Sequence, residues 1–346
     1  MSQFLQDIMD QSTVLKHCYH QYLTSSSDRL LQLSRWFQPL MPVIFVGMGS
    51  SLYAPQIVTP LLNSHGVNTS IKEAGELLHY GLNGIPRNAL VIAISQSGES
   101  VETRQVVEKL AGQCRIAVIT NNLDSAMAKN AELVLPMYAG VEATASTKTF
   151  VASLLVLTLA TKAILKQPCS ELSPHLNRLF SDLSDLTNRL TKTIGNYLDF
   201  LEGIDTLHII GRGPALACVY HGALIMKETA DSQAEGMAGG TFRHGPLELA
   251  GRGHKAIVLA PTGKTSDLNL NLALELAEYG SKVVLLTDRK IPTTNNLSVI
   301  EMPPIPENLV SLLYILPLEL LAWEAARRKG KNPGVPQLIS KVTVRE

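Results

Sequence analysis

Cysteine is scarce in this 346-residue chain, and so are aromatic residues and net charge. The four cysteines, Cys18, Cys114, Cys169 and Cys218, form no C-x-x-C pair and stand at no metal-site spacing to a histidine pair. That excludes a disulfide framework and a thiolate metal centre, and it points to a reduced, cytoplasmic setting. Lys plus Arg and Asp plus Glu balance at 30 each, so no overall field draws the chain to nucleic acid or to an anionic membrane. The N-terminal MSQFLQDIMDQS lacks the basic segment and apolar core of a signal peptide. The longest apolar runs, such as Val151–Ala160, fall short of the roughly 18 residues of a membrane span and read as a buried helix. Aliphatic residues are plentiful. With 45% hydrophobic and 17% charged residues, the chain is apolar enough for large buried sheets and long enough for two domains.

Residues 1–40 carry apolar positions at Phe4, Ile8, Val14, Leu15, Leu30, Leu31 and Leu33, the spacing of a pair of amphipathic N-terminal helices. Apolar runs without polar alternation then recur at a regular beat: Val43–Val46, Ala89–Ile94, Ile116–Thr120 and Leu133–Met137. Helix-length segments separate most of them, which predicts a parallel sheet covered on both faces. After a polar helical stretch, Ser170–Tyr197, the pattern restarts with Leu207–Ile210, Ala256–Ala260, Val283–Thr287 and Val299–Met302. Each series opens on a strand followed by G-x-G, and Gly47 and Gly211 stand 164 positions apart. This reads as a duplicated α/β unit, far longer than a solenoid repeat. The expected organisation is N-terminal helices over 1–40, one doubly wound parallel-sheet domain over 41–168, a second over 169–330, and a tail over 331–346. Leu309–Lys329 is rich in helix formers; Pro317 is expected to kink it, and Gly330–Gly334 to stop it.

The most informative segment is ALVIAISQSGES, Ala89–Ser100. An apolar strand runs into a Ser/Gly loop that opens a helix, so backbone N–H groups and the hydroxyls of Ser95, Ser97 and Ser100 can converge on an anion. The plain alternative is a strand–turn–helix junction with Ser100 as N-cap. A second turn, Gly47-x-Gly49-Ser50-Ser51, also follows a strand. Leu52 stands where a dinucleotide fingerprint needs its third glycine, so a turn presenting Ser50 and Ser51 beside the serine loop fits better. A third hydroxyl loop, Thr144-Ala145-Ser146-Thr147-Lys148, opens the next helix. In the second half, VYHGALIMKETAD places His221, Ile225 and Glu228 on one helical face. His244 follows on a loop flanked by Gly239-Gly240 and Gly245-Pro246, where site residues concentrate. A carboxylate and an imidazole suit proton transfer on a sugar.

Taken together, GMGSS, ISQSGES, EATASTKTF, GRGPA, GALIMKETADSQAEGMAGGTFRHGPLEL and the terminal SKVTV resemble the sugar isomerase (SIS) domain family, in particular the isomerase half of glutamine–fructose-6-phosphate aminotransferases. The resemblance runs over about residues 40–346. It implies two tandem SIS domains, a homodimer with a shared active site, and a phosphorylated sugar or amino sugar phosphate as ligand; no metal or organic cofactor is expected, because the amino group or carbonyl of such a substrate delocalises the charge. It implies that Ser50, Ser95, Gln96, Ser97 and Ser100 hold the phosphosugar; Gly49, Ser51, Thr144 and Ser146 of the hydroxyl loops, and Ser340 and Lys341 of the tail, are expected to join them. It makes Glu228 the enolisation base and His244 the ring-opening histidine, supplied by the neighbouring subunit.

Three departures set the chain apart from that resemblance. It begins Met1-Ser2-Gln3, from which no glutamine-hydrolysing domain is expected. The helix lysine three residues before the base is Ile225. The imine-forming lysine position falls on Ser340, with Lys341 displaced by one, and a one-residue shift in an extended tail turns the side chain to the opposite face. The reading is a phosphosugar isomerase/deaminase acting on a hexosamine 6-phosphate. A fructosamine-6-phosphate deglycase is the alternative, with Arg243, Arg212 or His221 available for a second charged pocket. A non-catalytic phosphosugar-binding regulator is the third reading.

Overall fold

The computed structural model describes residues 2–143, 145–336 and 338. In chain order the first helices are α1 (Gln3–Met9), α2 (Gln11–Leu23) and α3 (Ser27–Trp36). Then come β1 (Val43–Gly47), α4 (Ser50–Tyr53), α5 (Thr59–Ser64), β2 (Thr69–Glu73), α6 (Ala74–Glu76), β3 (Leu90–Ile94), α7 (Val101–Leu110), β4 (Arg115–Thr120), α8 (Ala126–Asn130), β5 (Leu133–Pro136) and α9 (Lys148–Ile164). The long α10 (Ser173–Phe200) leads to β6 (Thr206–Gly211), α11 (Leu216–Ala230), β7 (Gln233–Ala238), α12 (Gly239–Arg243), β8 (Lys255–Leu259), α13 (Ser266–Glu278), β9 (Lys282–Thr287), β10 (Leu297–Glu301) and α14 (Ser311–Arg328). The chain divides into two compact units, one of residues 11–176 and one of residues 2–10 with 177–336.

Each unit holds a five-stranded parallel sheet, in the orders β2-β1-β3-β4-β5 and β10-β9-β8-β6-β7. Read from the first-made edge, the two orders are the same, so the duplication seen in the sequence is a duplication of topology. Strands β1 and β3 are buried along their whole length. Continuous apolar runs of this kind are what a sheet covered on both faces requires. Helix α7 lays Val106, Val107 and Leu110 on Val91, Ala93 and Val118, while α9, buried almost throughout, packs with α2 and α3. In the second unit Leu272, Ala273 and Leu276 of α13 meet Val258, Val283 and Leu285. Burying each such leucine contributes about 1.5–3 kcal/mol. Helices α11 and α14 approach closely because residue 222 is glycine; a Cβ there would lie 2.5 Å from Leu318 Cδ1.

The sequence pattern missed strands β2 and β7. Both are edge strands, TSIKE and QAEGMA, and both are largely half-buried or exposed. An edge strand with one open flank needs no apolar run. The N-terminal segment forms three helices, not a pair: Ser2 caps α1 and Asp10 ends it. Helix α1 packs against α14 in one unit, while α2 packs against α9 in the other. Helix α14 runs unbroken through Pro317, which stands in its second turn, where one carbonyl is left without its i+4 donor.

At the amino end of the second sheet, His208 Nδ1 and His254 Nε2 are 3.0 Å apart, and His254 Nδ1 is 3.0 Å from Ser281 Oγ. Burial, and then the neighbouring His208, pull His254 from 6.5 down to about 4. Burial likewise lowers His208. The unfolded chain therefore takes up protons on His254 below about 6.5, which the fold accepts only near 4. Stability from this group is complete above 6.5 and is lost as pH falls toward 4. The expected result is a melting temperature that drops across this window and drops less in His254→Asn. Equal acid sensitivity of the two proteins overturns the assignment.

Candidate functional site

In the first unit the sheet order sets β1 beside β3, with Val46 opposite Ala93. The two loops that leave their carboxyl ends, Gly47–Ser51 and Ser95–Ser100, are therefore neighbours at the point where the strand order reverses, the place where open α/β sheets bind ligands. Gly47 has no room for a side chain: a Cβ would come within 2.8 Å of the Ser51 carbonyl carbon. Gly49 has φ +51° and starts α4. Ser50 and Ser51 are half-buried.

The serine loop is tied down by its own side chains. Ser95 Oγ accepts from Gly98 N–H (3.1 Å) and Ser97 Oγ from Glu99 N–H (3.1 Å). Asn121 N–H donates to the Gln96 carbonyl (3.0 Å), and Glu99 Oε1 accepts from Ala126 N–H (2.8 Å). Gly98 has φ +68°, and a Cβ there would stand 2.1 Å from Ser125 Oγ. Ser100 occupies the N-cap position of α7 but does not cap it; its hydroxyl donates to Glu102 Oε2 (3.2 Å). Ser100 thus leaves the N-terminus of α7 without a side-chain cap, the end at which a helix favours negative charge. Gln96, Ser97 and Ser100 are half-buried, and Ser95 is buried.

The third hydroxyl loop is built differently. Buried Glu142 accepts from Thr147 N–H (3.0 Å), Thr149 N–H (3.1 Å) and Thr149 Oγ1 (2.6 Å). A carboxylate of the chain itself thus sits at the N-terminus of α9, where the helix favours negative charge. Ser146 Oγ lies 3.0 Å from Thr149 Oγ1. The reading from sequence passed over the role of Glu142; the signal was an acid five residues ahead of Thr147, a spacing that fits no short capping box. Thr144 lies outside the described residues, as do Ser340 and Lys341.

In the second unit Glu228 is half-buried in the last turn of α11, which Asp231 ends in a left-handed conformation at φ 49°. His221 and Ile225, on the same face, are fully buried. His244 follows α12 directly, and Gly245 after it has φ +127°. Its imidazole is exposed on this turn. The two residues therefore sit on different elements, one at the end of the helix before β7 and one past the short helix after it. Of the cationic groups expected to line a second charged pocket, Arg243 is bound to Glu275 (2.6 Å) and His221 is fully buried. The Arg243 guanidinium beside Glu275 holds that carboxyl below its usual range. None of the cysteines suits nucleophilic chemistry: burial pushes the Cys114 and Cys169 thiols up to about 11, and those of Cys18 and Cys218 further.

The loop that follows β8 repeats the serine loop in outline, as Pro261-Thr262-Gly263-Lys264-Thr265, but two carboxylates close it. Asp288 Oδ1 accepts from Thr262 N–H (2.9 Å) and Oγ1 (3.0 Å), and Glu307 Oε1 accepts from Lys264 N–H (3.2 Å).

Comparison with known proteins follows the duplication. The SIS domain profile matches residues 42–163 and again 201–327. A glutamine–fructose-6-phosphate aminotransferase of Pyrococcus horikoshii is 34% identical over 311 residues, which are 87% of this chain and 52% of that protein. The chain thus spans about half the length of that relative. The C-terminal domain of the glucosamine-fructose-6-phosphate aminotransferase from Francisella tularensis has the same fold, with a TM-score of 0.85 at 22% identity, covering 97% of this chain and 98% of that one. A glucosamine-6-phosphate deaminase from Thermotoga maritima also shares the fold, with a TM-score of 0.74 at 21% identity and 99% of both chains covered. No helix among the described residues is long and apolar enough to cross a membrane. The two matched segments each enclose one complete five-stranded sheet, and the chain belongs to the SIS domain family.

Proposed function

We propose that this protein is a phosphosugar isomerase/deaminase that converts a hexosamine 6-phosphate to a ketose phosphate and ammonia. The observation that carries the reading is the serine loop. It opens an uncapped helix at the reversal point of the first sheet, held in shape by its own hydroxyls and by Gly98. Such a seat suits a phosphate by local geometry alone, which a chain with no net charge requires.

In this reading the Ser95–Ser100 loop, with Gly49, Ser50 and Ser51, holds the phosphate and nearby hydroxyls, and Thr144 and Ser146 add contacts. His244 moves the proton between the ring oxygen and the anomeric hydroxyl, opening the ring. Glu228 then takes the proton from C2, leaving an enolamine across C1 and C2, and returns it to C1. The product is an imine at C2, which water hydrolyses to the ketose and ammonia. The substrate's own C1 carbonyl takes up the charge as C2 loses its proton, and its C2 nitrogen does so as C1 gains one. The exposure of His244 on an outward turn supports its service to a neighbouring copy in a homodimer. Ser340 and Lys341 belong to a tail proposed to close the site.

The test is incubation with a panel of hexose and hexosamine 6-phosphates, read by mass spectrometry and by ammonia release. Ketose phosphate and ammonia in equal amounts from a hexosamine 6-phosphate are expected. Thermal stabilisation by phosphosugars with no product from any of them overturns the enzymatic reading and leaves a binding protein.

A further inference from the structure

We propose a second small-molecule subsite at the carboxyl edge of the second sheet, where Arg212 binds an oxyanion that carries an adjacent O–H or N–H donor, the donor going to Asn269. This subsite is independent of the reaction proposed above. Strand order reverses between β6 and β8 in the sheet β10-β9-β8-β6-β7, so their carboxyl ends open the crevice in which such sheets bind ligands. Arg212 leaves β6 directly, and α13 begins seven residues after β8 ends.

The guanidinium lies against two glycines. A Cβ on Gly239 would stand 2.9 Å from Arg212 Nε and 3.2 Å from Asn269 Oδ1, and one on Gly240 would stand 3.3 Å from Arg212 Nη1. Nε and Oδ1 therefore both lie against the bare Cα of Gly239, where any side chain would crowd them. Arg212 Nε is buried with no acceptor, and Asn269 Oδ1 is buried with no donor. Asn269 is 1% exposed, and its Nδ2 is committed to the Leu259 carbonyl (2.9 Å), which fixes which way the amide points. Ser266, one turn earlier on α13, is buried with its hydroxyl also unpartnered. Buried polar groups in folded proteins are almost always satisfied, and a charged donor is the costliest to leave.

Arg212 differs from most of the other arginines of its unit. Arg243, Arg289, Arg327 and Arg328 each hold a carboxylate, whereas no hydrogen bond or ion pair engages Arg212 among the described residues. Its environment selects the ligand class. Asp288 and Glu307 already take the amides of Thr262 and Lys264, so the loop offers no phosphate cradle like that of the first unit. What remains is one guanidinium, one carbonyl acceptor and one hydroxyl. An α-hydroxy acid, an α-amino acid or a phosphate ester beside a free hydroxyl matches all three.

The test uses the full 15N-labelled chain, observing arginine Nε–H resonances during titration with glycolate, acetate and inorganic phosphate. One Nε resonance, absent from Arg212→Gln, is expected to shift saturably with glycolate, with about tenfold weaker binding of acetate, which lacks the donor for Asn269. Arg212→Gln is expected to lower glycolate affinity by tenfold or more on the same grounds. Saturation by phosphate in place of glycolate supports the seat and assigns a phosphate ester as its ligand. Acetate binding as tightly as glycolate overturns the role of Asn269. An Arg212 resonance unmoved by all three probes overturns the subsite. Should Arg212→Gln not fold, Ser266→Ala carries the comparison, with weaker glycolate binding expected and unchanged binding counting against the site.

Discussion

Glu228→Gln is expected to lower kcat by roughly 10²–10⁴, the range for a positioned general base, with KM for the phosphosugar nearly unchanged. The amide keeps the size of the side chain but cannot accept a proton from carbon. In the proposed reading the serine loop, not Glu228, holds the phosphate, so the loss falls on kcat and not on KM. The fold is expected to survive, because Glu228 is half-buried at a helix end while its neighbours on the same face, His221 and Ile225, lie fully buried. The sharpest reading is exchange of the C2 hydrogen with deuterated solvent, which should stop in Glu228→Gln. On a phosphosugar too short to close a ring, His244→Asn is expected to retain most of its activity while Glu228→Gln stays inactive. Full turnover by Glu228→Gln removes the base from Glu228, and equal losses for His244→Asn on ring-forming and short substrates remove the ring-opening role from His244.

Gly98→Ala carries the second large effect. Its φ of +68° is strained for any residue with a Cβ, and that Cβ would stand 2.1 Å from Ser125 Oγ and 3.0 Å from Thr120 Oγ1. Ser125 cannot easily give way: it is 1% exposed, and its hydroxyl accepts from Ala128 N–H (3.3 Å) to cap α8. The backbone strain and the overlap together are expected to cost about 2–4 kcal/mol and to pull the loop off its ties to Asn121 and Ala126. Phosphosugar affinity should fall at least tenfold, since the loop amides lose their common aim. Gly98→Ala/Ser125→Gly removes the overlap but keeps the strain, so part of the stability should return. Thermal melts and phosphosugar titrations of the three proteins decide it. Wild-type affinity in Gly98→Ala disconnects this loop from the ligand.

Much of this was legible in the sequence, and the reason is local. The apolar runs that became β1, β3, β4, β6, β8 and β9 lie inside sheets covered on both faces, where no polar residue can be spared, so they stand out unaided. The Ser/Gly loop after β3 was legible for the same reason: a strand end and a helix start fall within a dozen residues. Strands β2 and β7 escaped because TSIKE and QAEGMA hold no apolar run, whereas the other two edge strands, β5 and β10, keep one. The three-way split of the N-terminal helices escaped because it reflects what each helix packs on, α14 for the first and α9 for the second.

The order of residues alone determined the fold class, the twofold repeat and the family, since each rests on short segments whose periodicity and turn chemistry need no distant partner. The tertiary structure decided how the two copies differ. Glu142 fills the N-terminus of α9. Asp288 and Glu307 close the loop after β8 from 26 and 43 residues away. Arg212 is left without a carboxylate while Arg243, Arg289, Arg327 and Arg328 find theirs. Which charge meets which donor is settled by chain segments brought together in folding, and no local pattern encodes that choice.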